Sequence, residues 1–235
     1  MSADSPYLSY QQGLYPGFHA AFSLRAFQER FKTLSKDGLP KQFLSLLSIR
    51  NGLIAQAEQV HGADVAVVTE AGVAERVDGL ATCSKDLFLA IYVADCLPIY
   101  LWSNQPECIA ILHAGWRGTV AGIAQHGVQA MKDCFGVKPG NLRALLGPCI
   151  CAACYEVGPE VAQYFHDSEI ESVGGNRFRL NLRRANARQL AEAGLSEAAI
   201  LSDDQCTGCR LDLFFSYRAE KDQTGRMIAI IGMKS

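Results

Sequence analysis

No stretch of the sequence reaches the roughly 18 consecutive apolar residues that a membrane-spanning helix requires; Asp95 interrupts the longest apolar run. No basic excess is present either. Lysine and arginine number 22 against 24 aspartates and glutamates, for a formal net charge of −2. A nucleic-acid-binding face needs concentrated positive charge, so nucleic acid is not an expected partner. The segment MSADSPYLSYQQGLYPG has neither a basic n-region nor an apolar h-region, so no secretory signal is expected. Internal repeats, low-complexity tracts and linkers are missing too. Histidine is sparse at five, which limits imidazole-rich metal chemistry. Cysteine is not scarce, but nine is an odd number. Without a signal peptide, these thiols read as the reduced cysteines of a cytoplasmic protein and not as a disulfide framework.

What is present is apolar surface. At 235 residues and 49% apolar content the chain can bury a full core, and one domain over 1–235 is the expectation. Residues 20–25, 65–68, 78–82, 143–146 and 227–231 read as short strands. Between them, 27–58 show helical spacing in Phe43, Leu44, Leu46, Leu47 and Ile54. A helix is expected from Thr119, its N-cap, to Cys134, with Val120, Ile123, Ala124, Val128, Met131 and Phe135 as its stripe and Gly136 as its end. Further helices are expected from Pro159 to His166 and from Leu182 to Ala193, stopping at Gly194. Helices and strands mix without regular βα alternation. The expected class is therefore α+β: a single domain with mixed β-sheets flanked by helices.

The most apolar region carries the candidate chemistry. FLAIYVADCLPIYLW from Phe88 and CIAILHAGW from Cys108 flank Ser103-Asn-Gln-Pro-Glu107, a turn-forming stretch. Cys96 and His113 lie symmetrically about that turn. Antiparallel pairing around it would set them face to face, with Cβ atoms about 4.5–5.5 Å apart. A thiolate and an imidazole that close can share a metal or act as nucleophile and base. Pro98 lacks an N–H and must sit at a bulge or where the strand becomes an edge. Asp95, a carboxylate inside an apolar run, is costly unless paired or functional. His113 likewise interrupts Ile109–Leu112. His61 is a third candidate: two imidazoles and a thiolate suit zinc with an open fourth position. The same residue types also fit a small buried thiol among hydrogen-bonded core histidines, and spacing does not place His61 beside the hairpin. His19, His126 and His166 have no supporting neighbours and read as structural.

Arg117 stands between Gly115 and Gly118 ahead of the expected helix, where free N–H groups and the helix dipole favour anions. It makes either a phosphate or carboxylate pocket, or a cover over Trp116. Cys149, Cys151 and Cys154 cluster, and Cys206-Thr-Gly-Cys209 is a CxxC pair. Two such pairs can close a structural zinc site, but the 52-residue interval from Cys154 to Cys206 exceeds common zinc-ribbon spacings. Small buried thiols at turns are the favoured reading, leaving one zinc per chain.

Five segments in order carry a resemblance: QVHGADVAVV (59–68), DGLATCSKDLFLAIYVADCLPIYL (78–101), ILHAGWRGTVAGI (111–123), LLGPCICAACYEVGPEV (145–161) and FFSYR with TGRMIAII (214–231). They resemble the laccase-domain, or YfiH-like, family, whose members are also described as multicopper polyphenol oxidoreductases and as purine nucleoside phosphorylases. The resemblance implies a zinc ion held by His61, Cys96 and His113, and so brings His61 to the hairpin. It implies phosphorolysis of adenosine, inosine, guanosine or 5′-methylthioadenosine, with adenosine deamination as a second activity. Purine nucleosides and phosphate are the implied partners, in a monomer or small homo-oligomer. Within that frame Asp95 orients a ligand or transfers a proton, Arg117 holds an anion, and Arg25 and Arg218 contact substrate. A metal-free Cys96–His113 hydrolase and a copper oxidoreductase are the alternatives. Five histidines are too few for a laccase holding several coppers. Where the family has a Gly-Gly-rich, Asn-containing stretch, this chain has AFQERFKTLSKDGLPKQ, a loop expected near the substrate.

Overall fold

The most apolar segments of the chain form strands buried on both faces, and such strands need a covering layer on each side. The computed structural model describes residues 5–10, 14–31 and 38–235, and its elements are numbered in chain order. Residues 32–37 of the divergent loop lie outside the described residues. The first large sheet runs, in spatial order, β1 (Tyr7–Tyr10), β2 (Phe18–Ser23), β15 (Met227–Met233), β7 (Leu87–Val93), β3 (Leu53–Ala57) and β5 (Gly72–Ala74). The second runs β14 (Ile200–Ser202), β10 (Arg143–Leu146), β8 (Leu97–Asn104), β9 (Glu107–Ala114), β6 (Gly79–Thr82) and β4 (Val65–Val67). A small third sheet orders β11 (Glu156–Val157), β13 (Arg177–Leu180) and β12 (Ile170–Gly174). Both large sheets are mixed: β3 runs parallel to β5 and β7, β10 to β14, and β4 to β6, while the other pairs are antiparallel.

Four layers result. Between the sheets, Phe22, Leu89, Ile91 and Ile231 of the first meet Leu80, Tyr100, Trp102 and Ile111 of the second. Outside the first sheet, α1 (Arg25–Arg30) and α2 (Gly38–Leu46) set Phe27, Phe43 and Leu44 against Phe88, Ala90 and Ile230. Outside the second, α4 (Ile123–Phe135) and α6 (Leu182–Glu192) set Ile123, Val128, Met131 and Leu190 against Ile99, Leu101, Ala110 and Leu112. Burying each large side chain contributes about 1.5–3 kcal/mol, so covering both faces of both sheets is the main stabilising term. The class is α+β, mixed sheets flanked by helices in a single domain, as composition and patterning indicated.

Two expectations about the central hairpin are corrected. The strand expected from Phe88 is two strands in two different sheets: β7 ends at Val93, and β8 begins at Leu97. Ala94-Asp95-Cys96 carries the chain from one sheet to the other, with Asp95 at φ +83°, a left-handed conformation that aspartate tolerates better than most residues. The hairpin itself is antiparallel, but Asn104 faces Glu107, so the tip is Gln105-Pro106 and His113 lies opposite Pro98, not opposite Cys96. Strand β9 continues through His113 to Ala114 and is not interrupted by it. Pro98 sits where β10 has already ended, one position before the Ile99–Leu146 pair.

The helix expected over Thr119–Cys134 is likewise two. A short α3 (Trp116–Val120) precedes α4, and Gly122 at φ +82° caps α4, because a bend there needs a left-handed residue. Thr119 therefore lies inside α3 and donates its Oγ1 to the Gly115 carbonyl at 2.9 Å. Gly136 does end α4, at φ +70°. Ile54, assigned to helical spacing, lies in β3. The helix from Pro159 is a single turn, α5 (Pro159–Ala162).

Candidate metal centre

His61, Cys96 and His113 converge where the chain crosses between sheets. Their ligand atoms lie within 4.8 Å of one another. The two imidazoles stand nearly edge to face, 4.9 Å between centroids at 78°. His113 is buried, Cys96 half-buried and His61 exposed, so the centre opens toward solvent on the His61 side. Two nitrogens and one sulfur around a point open on one side suit zinc with one position free for water or substrate. Because Cys96 precedes β8, it approaches His113 on the diagonal, beside Gly115. A Cβ at Gly115 would lie 3.0 Å from the Cys96 Sγ and 3.4 Å from the His61 ring. One at Gly118 would lie 2.7 Å from the Gly62 carbonyl oxygen, backbone against backbone. Both glycines serve close approach.

Asp78, which sequence reasoning passed over, organises this centre. It is fully buried, immediately before β6. Its Oδ1 lies 2.7 Å from His113 Nδ1 and accepts the His61 N–H at 3.0 Å. Its Oδ2 accepts the N–H groups of Val60 and Gly62 at 3.1 and 2.6 Å. One carboxylate thus orients His113 through its ring and His61, at φ +62°, through its backbone. With Nδ1 engaged, Nε2 of His113 is the nitrogen left to hold a metal, the carboxylate–histidine arrangement that fixes a metal ligand's tautomer. The sequence signal was available: an acidic residue opening an apolar strand is as costly as Asp95.

The charges reinforce one another. Burial alone would raise the Cys96 thiol pKa, but the His113 charge and hydrogen bonds with His113 and His61 lower it to about 6. Burial alone would lower His113, but the Cys96 thiolate and the Asp78 hydrogen bond raise it to about 9. Burial likewise opposes ionisation of Asp78, yet its bonds to His113 and the 60–62 backbone hold it below its ordinary value. Each group thus shifts toward its charged form because of the others: Cys96 toward thiolate, His113 toward imidazolium and Asp78 toward carboxylate.

The other candidate residues have specific places. Asp95 accepts from the Thr207 hydroxyl and from the Arg218 N–H, each at 2.6 Å, while its carbonyl accepts from the Ile150 N–H at 3.1 Å. Its carboxylate therefore ties three segments together beside Cys96. Arg117 is exposed in α3, with its guanidinium 4.3 Å from the Trp116 ring. Arg218, in α7 (Tyr217–Glu220), donates to the Glu156 carbonyl at 2.7 Å and lies 5.0 Å from the Tyr155 ring. Arg25 donates to Glu220 at 2.8 Å and to the Phe214 carbonyl at 2.9 Å, and stacks over Phe215. Its charge is thus matched within the protein. Tyr155, not singled out by spacing, borders the centre: burial and the nearby Cys96 thiolate push its hydroxyl up to about 12, against the pull of Arg218. His126 bonds the Ala63 carbonyl at 2.8 Å and His19 packs near Phe88.

The reading of these cysteines as small buried thiols is corrected in placement: Cys151 and Cys154 are half-buried, Cys209 is exposed, and all meet Cys206. The four sulfurs of Cys151, Cys154, Cys206 and Cys209 lie within 4.8 Å of one another. The long interval is bridged because Cys149 pairs with Cys206 as an isolated parallel bridge. Among the described residues, no helix is long and apolar enough to cross a membrane.

Comparison with known proteins places the family and the fold. Residues 40–234 match the family model described as multi-copper polyphenol oxidoreductase laccase. A purine nucleoside phosphorylase YlmD of Geobacillus stearothermophilus is 35% identical over 194 residues, 75% of this chain and 71% of that protein. The purine nucleoside phosphorylase SSP1584 of Staphylococcus saprophyticus is 31% identical over 94% of this chain and 88% of its own. The crystal structure of YlmD from Geobacillus stearothermophilus superposes with a TM-score of 0.89 at 26% identity, covering 100% of this chain and 98% of that one. That of the Bacillus licheniformis hypothetical protein YfiH gives 0.88 at 27% identity over 98% of both chains. With the ordered segments, the four-layer fold and the matched 195-residue stretch in agreement, the chain belongs to the multi-copper polyphenol oxidoreductase laccase family, the YfiH-like proteins.

Proposed function

We propose that this protein is a zinc-dependent purine nucleoside phosphorylase that acts on adenosine, inosine, guanosine or 5′-methylthioadenosine and also deaminates adenosine. The observation that carries the reading is the convergence of His61, Cys96 and His113 on one solvent-facing point, with Asp78 fixing the tautomer of His113. The names of its relatives supply the reaction class. Zinc bound there would act as a Lewis acid toward an oxygen of phosphate, water or substrate. Arg117, with its guanidinium free of any ion pair among the described residues, holds the phosphate at the solvent-facing side. Tyr155 and Arg218 form the opposing wall, where a base can stack and hydrogen-bond. Asp95 keeps that wall in place through Thr207 and Arg218 and orients the bound ligand. Arg25, through Glu220, positions the 214–220 segment on the substrate side. An oxygen of hydrogen phosphate attacks C1′ of the ribose, the C1′–N9 bond breaks, and the departing purine takes up the proton that the phosphate gives up. The protein acts in the cytoplasm as a monomer or small homo-oligomer.

Metal-depleted and zinc-restored protein incubated with inosine and phosphate tests the reading. Hypoxanthine and ribose 1-phosphate are expected from the zinc-restored sample alone; no product in either sample overturns it. The thiolate–imidazolium pair favours one second reading, a metal-free hydrolase with Cys96 as nucleophile and His113 as base. Rapid iodoacetamide alkylation of Cys96 in metal-containing protein would support that reading, since a zinc-bound thiolate is shielded. Copper has the same ligands available, yet among the described residues the centre offers two of the five imidazoles.

A further inference from the structure

Four cysteines outside the His61–Cys96–His113 centre meet at one point. Cys151 and Cys154 come from the loop after β10, and Cys206 and Cys209 from the loop after β14. The Cys209 Sγ lies 3.3 Å from that of Cys154 and 3.9 Å from that of Cys151. Thiolates bound at about 2.3 Å around a tetrahedral ion stand about 3.8 Å apart, and the four sulfurs, all within 4.8 Å of one another, are close enough to share one such ion. All four are free thiols. The backbone is shaped to present them. The N–H groups of Cys151 and Cys209 point at the Cys206 Sγ, at 3.2 and 3.4 Å, and so tie both loops to that sulfur. Gly208 passes over Cys154 so closely that a Cβ there would lie 3.2 Å from the Cys154 Cβ. Bonds from Cys149 N–H to Gln205 and from Thr207 N–H to Cys149 lock the loops in register.

We propose that Cys151, Cys154, Cys206 and Cys209 form a second, closed tetrathiolate zinc site that staples these two loops together and so holds one wall of the candidate active site. The donor set is all sulfur, which selects zinc over harder divalent cations. Four protein ligands leave no open position, the mark of a structural site. On binding, the ion displaces the thiol protons to solvent and no electrons move. The stapled loops reach the first centre through short links. Thr207, inside the Cys206–Cys209 turn, donates to Asp95, the neighbour of Cys96. Ile150, next to Cys151, donates to the Asp95 carbonyl. Tyr155, the wall residue, directly follows Cys154.

Zinc content of protein purified under reductant from zinc-supplemented cells tests the site independently of the activity. Two zinc ions per chain are expected in the wild type, one in C96A and one in the double variant C154S/C209S. Because the double variant can fail to fold, cobalt(II) chloride added to metal-depleted C96A gives a second readout. Tetrahedral ligand-field bands with strong sulfur-to-cobalt charge transfer are expected. A C96A protein that retains neither zinc nor cobalt overturns the second site, as does an intact mass showing these four cysteines paired as two disulfides under reductant. A wild type whose single zinc survives in C96A would instead remove the first centre and leave this one standing.

Discussion

The two sulfur clusters of this chain lie near each other, yet are built by different means. His61, Cys96 and His113 are held by the sheet: His113 belongs to β9, Cys96 immediately precedes β8, and Asp78 before β6 bolts the 60–62 turn to His113. They mix nitrogen and sulfur and leave His61 exposed. Cys151, Cys154, Cys206 and Cys209 sit on loops, joined by a single parallel bridge and by N–H groups aimed at sulfur. Their donor set is uniform and complete. Rigid elements supply the precise orientation that an open, reactive centre needs, whereas loops can be ordered by whatever binds them. The contrast teaches that the sheet fixes the orientation of the mixed nitrogen–sulfur cluster, whereas the all-sulfur cluster depends on how its two loops are joined.

Removing the sheet's brace should separate the two clusters most sharply. Asp78→Ala leaves three backbone N–H groups and the His113 ring without their buried acceptor, and should cost about 3–5 kcal/mol, read as a loss of unfolding free energy in denaturant titration. The milder Asp78→Asn should lower zinc affinity at the first centre by roughly 10–100-fold while the thiolate cluster keeps its metal. Competition with a chromophoric chelator measures both, and equal weakening of the two sites would erase the distinction. Next in size is Gly118→Ala, whose Cβ would meet the Gly62 carbonyl. Overpacking there should cost about 1–3 kcal/mol and displace His61, seen as a lower thermal midpoint together with lost nucleoside turnover.

Titration sharpens the same comparison. Between about 6 and about 9, Cys96 is already a thiolate and His113 still carries its proton, so zinc binding at the first centre must expel that proton. Affinity there should rise about tenfold per pH unit over this interval and flatten above it, as calorimetry in buffers of different ionisation enthalpy would report. In metal-free protein the sign differs. The raised His113 pKa contributes stability that is lost as pH climbs through about 9, and the depressed Cys96 pKa contributes stability that is lost as pH falls through about 6. Across that interval the two slopes oppose and nearly cancel, so denaturant titration of apo protein should show little dependence of stability on pH from this pair. The smallest effect is expected far from both clusters: breaking the exposed Lys85–Glu107 ion pair with Lys85→Ala should change stability by at most about 0.5 kcal/mol. A larger loss would mean that the hairpin tip participates in the centre's support.

Much of the framework was legible in the chain before any coordinates. Strand β10 falls on Arg143–Leu146 as read, α6 spans Leu182–Glu192 ahead of Gly194, and Gly136 ends α4. Local signals fix these: turn residues, caps and period act within a few positions. The errors share one cause. The run from Phe88 was apolar throughout except at Asp95, and nothing in periodicity says that a fully buried segment changes sheets midway. Only a left-handed Asp95 and two separate partners, β15 and β9, divide it. Strand β1 and the β12–β13 hairpin at Gly174-Gly175 escaped notice because they are short and largely polar, whereas the strand read at 20–25 falls on β2 with its start two residues earlier.

By itself the sequence determined that the chain carries a large apolar core with little net charge, where several of its strands and helix ends fall, and that a hairpin brings His113 back near Cys96. It determined these because burial and backbone preference act locally. The tertiary structure decided what no spacing encodes. It brought His61 to the hairpin, made Asp78 the acceptor for four donors, shifted the register that aligns Cys96 with Gly115, and carried Cys206 across to Cys151. Those contacts span dozens of residues, and they form only when two sheets pack and bring distant loops to the same edge.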